Sequence, residues 1–566
     1  MALLRGQSAY RSVAGMLASK AVIPVIALPT GPAQIAPRLM AVATPNDAAI
    51  IDLDEARCLK PLLEAPRPWG AYDAKAADHA LHRTLGTAPQ RWACLKLTQQ
   101  LIEGGRRADL SLAGIAARCG ENLSSAPQSF AELGAHAMGL ARCLAHQVRS
   151  LHEDGLTHAS RLEAGAVTAI AALERHGMPF DPQAWRLVSR SLAQEHAHLI
   201  AQITATLDGM GQTGGARGLF GDPTALLRQD AALKRLLHGL GFRVRDLRRQ
   251  TLAMLPPPLG PVLCRYREVE KLLNTYGEGF LAHARDRERI HAVYEQIGAS
   301  TGRMACHSPN LQAIPHDGPH RRCFRAPPGK CLVIADYATC ELRILAQMSG
   351  DPVFLDAFAR GDDVHAQVAS RVFGKPVSKN QNAMLRQRAK AVSFGLVYGM
   401  GVPGLARATG TSPAEAATLL ENYFRSFPHL KGFLSQLAQE GLQRGYAMSL
   451  SGRRLYLERA LPPGQTERIA KNMPIQGTSA DITKMALGRL QRALSTFRHA
   501  WLVNCVHDEI VVECLSEDAD DVQACVTTEM SAAGAQVLRD VPLPVEAFVS
   551  PTWTKAPLTA TSSKPI

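Results

Sequence analysis

Two acidic positions stand where apolar chain gives way to polar chain. In residues 330–345, KCLVIADYATCELRIL, an apolar run over 331–335 ends in Asp336, and a helix-like run follows from Ala338. A carboxylate at the end of a buried strand is well placed to hold a metal ion at a cleft; the same position equally suits a helix N-cap. In residues 501–513, WLVNCVHDEIVVE, two strand-like runs flank His507, Asp508 and Glu509, where a hairpin turn falls. A plain Asp-containing turn is the alternative, although turns seldom need His, Asp and Glu together. If the two strand ends meet, Asp336 and Asp508 form a carboxylate pair. Like charges held close repel unless a divalent cation lies between them. Two such ions about 4 Å apart activate an attacking oxygen and stabilise a leaving one.

Between these segments lies RQRAKAVSFGLVYG, residues 386–399. Arg386, Lys390, Phe394 and Tyr398 recur every four residues and share one helix face. Two cations followed by two aromatics suit a triphosphate followed by a sugar and base. An amphipathic helix with a basic edge also accommodates the cations, but explains less well why rings share their face. Gly395 and Gly399 each cost a helix about 1 kcal/mol, which close approach by another group would explain.

The elements that must position these residues belong to a chain of 566 residues, too long for one core, so two to four domains are expected. Sixty-three Lys and Arg against 50 Asp and Glu give a net charge of +13, which points to a polyanionic partner or simply to a basic surface. The 12 Cys include no CxxC, which argues against a zinc module, and read as small core residues in a reducing compartment. No apolar run reaches the roughly 18 residues of a membrane span. The first 20 residues, with Arg5, Arg11 and Lys20 and no acid, read as an ordinary basic terminus in preference to an organelle transit peptide. Short apolar runs at 22–28, 39–42 and 48–53 predict buried strands, and 112–117 and 130–151 predict helices. Residues 184–207 and 266–280 have helical spacing, and Pro256, Pro257 and Pro258 separate two helical pieces. The tail after Trp553 reads as frayed.

The three segments resemble motifs A, B and C of family A (polymerase I-like) DNA polymerases: DYxxxELR, RxxxKxxxFGxxYG and VHDE, in that order. Thr301-Gly302-Arg303 with Pro309-Asn310-Leu311-Gln312, the Arg468, Asn472, Gln476-Gly477-Thr478 helix, Asp363-Val364-His365, and Glu270-Lys271-Leu272 with Thr275-Tyr276 are similar to further segments of that family. So is the stretch from Val541-Pro542-Leu543 to Trp553. The resemblance is dense from about 160 to 554. It implies template-directed DNA synthesis from dNTPs on a primer–template. Asp336 and Asp508, with the backbone of Tyr337, would hold two Mg²⁺ ions. Arg386, Lys390 and His365 would hold the triphosphate, Phe394 and Tyr398 would frame the nascent base pair, and Glu341 would close the space of a ribose 2′-OH. Arg303, Asn310, Gln312 and His507 would lie toward the primer terminus, Arg468, Asn472 and Gln476 along template and primer, and Glu509 would be a secondary acid. Phe394 in place of Tyr implies discrimination against nucleotides lacking a 3′-OH. The fold implied is an α/β right hand: thumb 156–295, palm 296–350 and 466–554, fingers 351–465, and a flexible tail 555–566. A basic stretch, 214–249, is read as a duplex contact. A replisome or processivity partner is left unidentified, and the expected location is the cytoplasm of a bacterial or phage-infected cell, with organellar import the lesser alternative.

Residues 1–155 resemble a ribonuclease H-like 3′-5′ exonuclease domain whose acids are missing. The first strand reads Ala27-Leu28-Pro29, the second segment has Ala77 where an acid should fall with Asp78 one residue late, and 136–140 lack both polar groups. Without those oxygens hard cations have nothing to bind, so proofreading is expected to be absent; Asp52, Asp54 and Asp73 are the alternative ligands. A preceding 5′-nuclease domain is not expected.

Overall fold

In the computed structural model, the strand Lys330–Tyr337 lies inside a four-stranded antiparallel sheet ordered Ala500–Val506, Glu509–Leu515, Lys330–Tyr337, Val545–Ser550. The structure describes residues 3–18, 23–28, 39–123, 127, 129–209, 227–285, 288–316, 318–397, 399–458 and 460–555, the side chains of 208, 285, 394, 396 and 397 excepted. Cys331, Leu332, Val333, Ile334 and Ala335 are all buried. Successive side chains of a strand face opposite ways, so both faces of this sheet are covered, and the apolar run is continuous instead of alternating. The helices Ala519–Val537, Thr157–His176 and Pro463–Ala493 pack on the sheet. Pro463–Ala493 also packs on Cys340–Ser349 and Pro428–Arg444. It is the longest support of the site.

A second, six-stranded sheet is built from Leu3–Leu4, Ala48–Asp52, Leu39–Ala43, Val25–Ala27, Pro68–Ala71 and Arg91–Cys94, in that order. Its first and last two pairings are parallel, and the two between are antiparallel. Alternation is clear here. Ile26, Met40, Val42 and Ile51 join one apolar core with helices Gly6–Met16 and Ala74–Leu85; Val25, Ala27, Ala41, Ala43 and Ile50 join another with Phe130–Glu153. The basic N-terminal stretch is therefore part of the fold: Leu3 and Leu4 pair with Ile50 and Ile51, and Ala9 and Val13 are fully buried.

The helices Pro182–Gly209 and Leu259–Tyr276 pack together between the two sheets in sequence. The single helix expected over 266–280 ends at Tyr276, because Gly277 takes an extended conformation before the short 3₁₀ turn Glu278–His283. Trp185, Phe180, Phe280 and Phe324 cluster beneath it. After Cys340–Ser349 come the helices Pro352–Ala359, Val364–Phe373, Ala383–Val397, Val402–Thr409, Pro413–Ser426 and Pro428–Arg444. Among the described residues no helix is long and apolar enough to cross a membrane.

Candidate active site

The antiparallel register aligns Asp336 with Glu509 on one side and with Glu546 on the other. Asp508 is the second residue of the two-residue loop that joins Ala500–Val506 to Glu509–Leu515, with Val506 and Glu509 paired at its base. Residues far apart in sequence thus place acids at one edge of one sheet. Two neighbouring backbones are strained. His507 holds φ at 56°, in a loop position that favours glycine, and Thr339 holds 53°. Thr339 is also why the helix begins at Cys340 and not at Ala338. Strain of this kind costs on the order of 1–3 kcal/mol and persists where surrounding packing fixes it.

Asp336 and Asp508 lie within electrostatic reach of each other. Partial burial, then the Asp336 carboxylate, pushes the Asp508 carboxyl up to about 7, with Glu341 and Arg303 also within electrostatic reach. Glu341, buried in the first turn of Cys340–Ser349, accepts a hydrogen bond from the Arg303 guanidinium. Glu509 is held differently: its Oε1 accepts from Arg321 at 2.9 Å and from the Trp553 indole at 2.8 Å, and the Arg321 guanidinium lies 4.0 Å over the Trp553 ring. Tyr337 ends the strand, and its hydroxyl donates to the Met530 carbonyl at 2.7 Å. Lys555, read from the sequence as the first residue of a loose tail, is engaged: its ammonium is 2.6 Å from Asp336 Oδ2. Residues 556–566 lie outside the described residues. The donor set fits a hard divalent cation. It offers carboxylate oxygens, the Asp336 charge adds to burial in disfavouring a second bare carboxylate at Asp508, and an ammonium already rests on one member.

Arg303 closes a tight turn in which Gly302 holds φ at 90°. A Cβ at Gly302 would come within 2.6 Å of Arg453 Nε, so glycine is required twice over, by conformation and by space. Gln312 donates to the Cys505 carbonyl at 3.3 Å, which ties its segment to the strand leading into His507. Asn310 caps the short turn Leu311–Ala313 and is exposed. On Pro463–Ala493, Arg468 is exposed, Asn472 half-buried and Gln476 buried.

A second group gathers on the neighbouring helices. Arg386 donates to Asp363 at 2.7 Å, and Asp363 caps Val364–Phe373 by accepting from the backbone of His365 and Ala366. Burial, then the nearby charges of Lys390 and Arg386, pushes His365 down to about 4, so the imidazole is neutral at pH 7. Ala383–Val397, which carries Arg386 and Lys390, packs against Cys340–Ser349, which carries Glu341. Tyr398, the side chain of Phe394, and residues 210–226 of the basic stretch lie outside the described residues. Gly399 holds φ at 63°, and a Cβ there would come within 2.3 Å of Arg468 Cγ. Arg468 is the approaching group that the sequence left unnamed.

Sequence reasoning missed a buried ion cluster behind the site. Glu163 accepts from Lys484 at 2.5 Å, from Gln296 at 2.6 Å and from Arg453; Arg453 also donates to Asp481 at 2.9 Å. The available signal was the pair Asp481 and Lys484, three residues apart inside an otherwise buried helical run. Arg321 and Lys555 were also missed. In the N-terminal sheet region, Asp78 is fully buried and accepts from Arg175 and from Trp92 at 3.2 Å; Asp73 caps Ala74–Leu85; Asp52 pairs with Arg5 at 3.1 Å.

The DNA polymerase I of Chloroflexus aurantiacus is 36% identical over 415 residues, covering 69% of this chain and 43% of that protein. The thermostable DNA polymerase I of Thermus aquaticus is 33% identical over 409 residues, 68% of this chain and 47% of that protein. The chain thus spans less than half the length of these curated relatives. A solved structure described as the POL domain of Pol1 from M. smegmatis, in complex with DNA primer-template and dNTP, superposes with a TM-score of 0.79 at 24% identity, covering 98% of this chain and 99% of that one. That match establishes the fold. The sequence model of DNA polymerase family A matches residues 244–555, which contain every residue of the carboxylate edge described above, and the chain belongs to that family.

Proposed function

We propose that the chain is a template-directed DNA polymerase that extends a primer 3′-OH with dNTPs and does not proofread. The observation that carries this reading is the carboxylate edge: Asp336 and Asp508 held together beside Arg303 and Glu341. A protein that only binds DNA has no use for two carboxylates held together at the end of a buried sheet. Asp336 and Asp508 would hold the divalent cations, two Mg²⁺ in this reading, which supply activation of the attacking oxygen and charge for the leaving one. Arg386 and Lys390 would neutralise triphosphate charge, and neutral His365 would donate a hydrogen bond to it. Glu341, fixed by Arg303, would limit space at the sugar 2′ position. Arg468, Asn472 and Gln476 would follow the strands, and Phe394 and Tyr398 would bound the base pair.

The helical pair Pro182–Gly209 and Leu259–Tyr276 supports a thumb over 156–295, and the four-stranded sheet supports a palm over 296–350 and 466–554, with fingers over 351–465. Loss of proofreading is favoured by the employment of Asp78, Asp73 and Asp52 in ion pairs and a helix cap. The bacterial relatives favour a cytoplasmic place of action.

Extension of a 5′-labelled primer on a DNA template, with Mg²⁺ and dNTPs, tests the proposal beside Asp508→Ala. Template-length product that the substitution abolishes is expected. DNA bound without any product would make the chain a scaffold, and preferential use of rNTPs would make it an RNA polymerase. A labelled primer with a mismatched 3′ end, shortened in the absence of dNTPs, would overturn the loss of proofreading.

A further inference from the structure

We infer that Lys555 is a tethered internal cation: it occupies the carboxylate edge when no divalent ion is bound, and it must swing away for one to bind. The inference rests on Asp336 and Asp508 being the metal-holding pair. Lys555 Nζ lies 2.6 Å from Asp336 Oδ2 and 3.4 Å from Glu509 Oε2.

What holds it there is an anchor two residues earlier. Trp553 is fully buried, its backbone N–H donates to the Phe324 carbonyl at 2.9 Å, and its indole donates to Glu509. Ala326 donates to the Pro551 carbonyl at 2.9 Å, and Arg325 bridges to Thr552. Residue 553 therefore cannot leave without unpacking a core, and Lys555 stays within a side chain's length of the acids whether or not it touches them. A tether of this kind converts binding into an intramolecular event at high effective concentration.

The partners are also set up for exchange. Glu509 has one oxygen committed to Arg321 and Trp553, so it stays in place when Lys555 departs. The side chains of Lys555 and Asp336 keep 23% and 28% of their exposure, so the ammonium can reach water without opening the fold. An ammonium and a divalent ion cannot both sit on Asp336 Oδ2, since like charges repel at that range. The apparent affinity for the ion is therefore lowered by the fraction of chains whose edge is free of Lys555. The residue lies in the last described segment and outside the motif residues of the site, so the chain carries its own competitor for metal loading.

Mn²⁺ binding to the full chain without DNA, followed by the loss of the free-ion paramagnetic resonance signal, tests this without any turnover. Lys555→Gln should bind Mn²⁺ about tenfold more tightly than wild type, the value for an edge occupied by Lys555 about nine-tenths of the time. Lys555→Arg, which keeps the charge, should stay within about twofold of wild type by the same reasoning. Asp336→Asn should lose most binding. If Asp336→Asn binds as wild type does, the metal-pair reading fails. If Asp336→Asn loses binding but Lys555→Gln binds no more tightly than wild type, the pair stands and the competitor role of Lys555 is overturned.

Discussion

Glu163→Gln should be among the most destabilising single substitutions in this chain, although no catalytic role falls to Glu163. The side chains of Glu163, Asp481, Arg453 and Lys484 are between 0 and 3% exposed, and their charges sum to zero. Burial alone would push Lys484 far down; with Glu163 as the main opposing influence it is pushed down to about 8 and stays charged at neutral pH. Removing the Glu163 charge leaves two buried cations on the single carboxylate of Asp481. Breaking one side of a buried pair costs about 3–5 kcal/mol, a large part of the roughly 5–15 kcal/mol that hold a folded domain together. Urea denaturation followed by tryptophan fluorescence should show a midpoint lowered by about 1–2 M, given a slope of about 3 kcal/mol per molar. Adding Lys484→Met to Glu163→Gln should recover at least about 2 kcal/mol, because it removes the orphaned charge instead of adding damage. A Glu163→Gln chain within about 1 kcal/mol of wild type would refute the reasoning, since it would mean that water or a rearranged partner satisfies Lys484. So would a double variant whose loss equals the sum of the two single losses.

Two further outcomes follow from single residues. Burial, then Arg175, pushes His176 down to about 4, and its ring stacks on Trp501 at 5.0 Å. An unfolded His titrates near 6.5, so between these values the unfolded chain binds the extra proton. Stability is full above pH 6.5 and is lost as pH falls toward 4, by at most about 2 kcal/mol at pH 5. Urea midpoints at pH 7.5 and pH 5 should differ less in His176→Phe, which keeps the stack, than in wild type; an equal difference rules the assignment out. Gly399→Ala should cut primer extension at least tenfold while lowering the thermal transition by only a few degrees, since φ of 63° and a Cβ 2.3 Å from Arg468 Cγ force the turn or Arg468 to shift at a cost of about 1–3 kcal/mol. Undiminished extension would show that the close approach has no bearing on template or primer contact.

Much of the candidate site is legible in the chain because its information is local. A continuous apolar run ending in Asp336, two such runs around His507-Asp508, and a four-residue recurrence from Arg386 each specify an element and the end or face on which the polar residue stands. The strands at 39–43 and 48–52 and the helix from 130 are legible for the same reason. The two-residue strand Leu3–Leu4 is not, because two residues have no period; only its partner Ile50-Ile51 makes it a strand. Helical spacing over 266–280 runs past the end of Leu259–Tyr276, because apolar periodicity continues beyond Gly277 whereas the helical backbone stops there; the glycine itself was the local signal.

What the sequence by itself determined, then, is which of the longer elements form and which residues each presents. Tertiary structure alone decided the partners of charges. Lys484 meets Glu163 across 321 residues, and Lys555 meets Asp336 across 219. Periodicity within a segment fixes a direction in that segment's own frame. The energy of a buried charge depends on what another segment brings within about 3 Å of it, and only the packed fold brings those segments together.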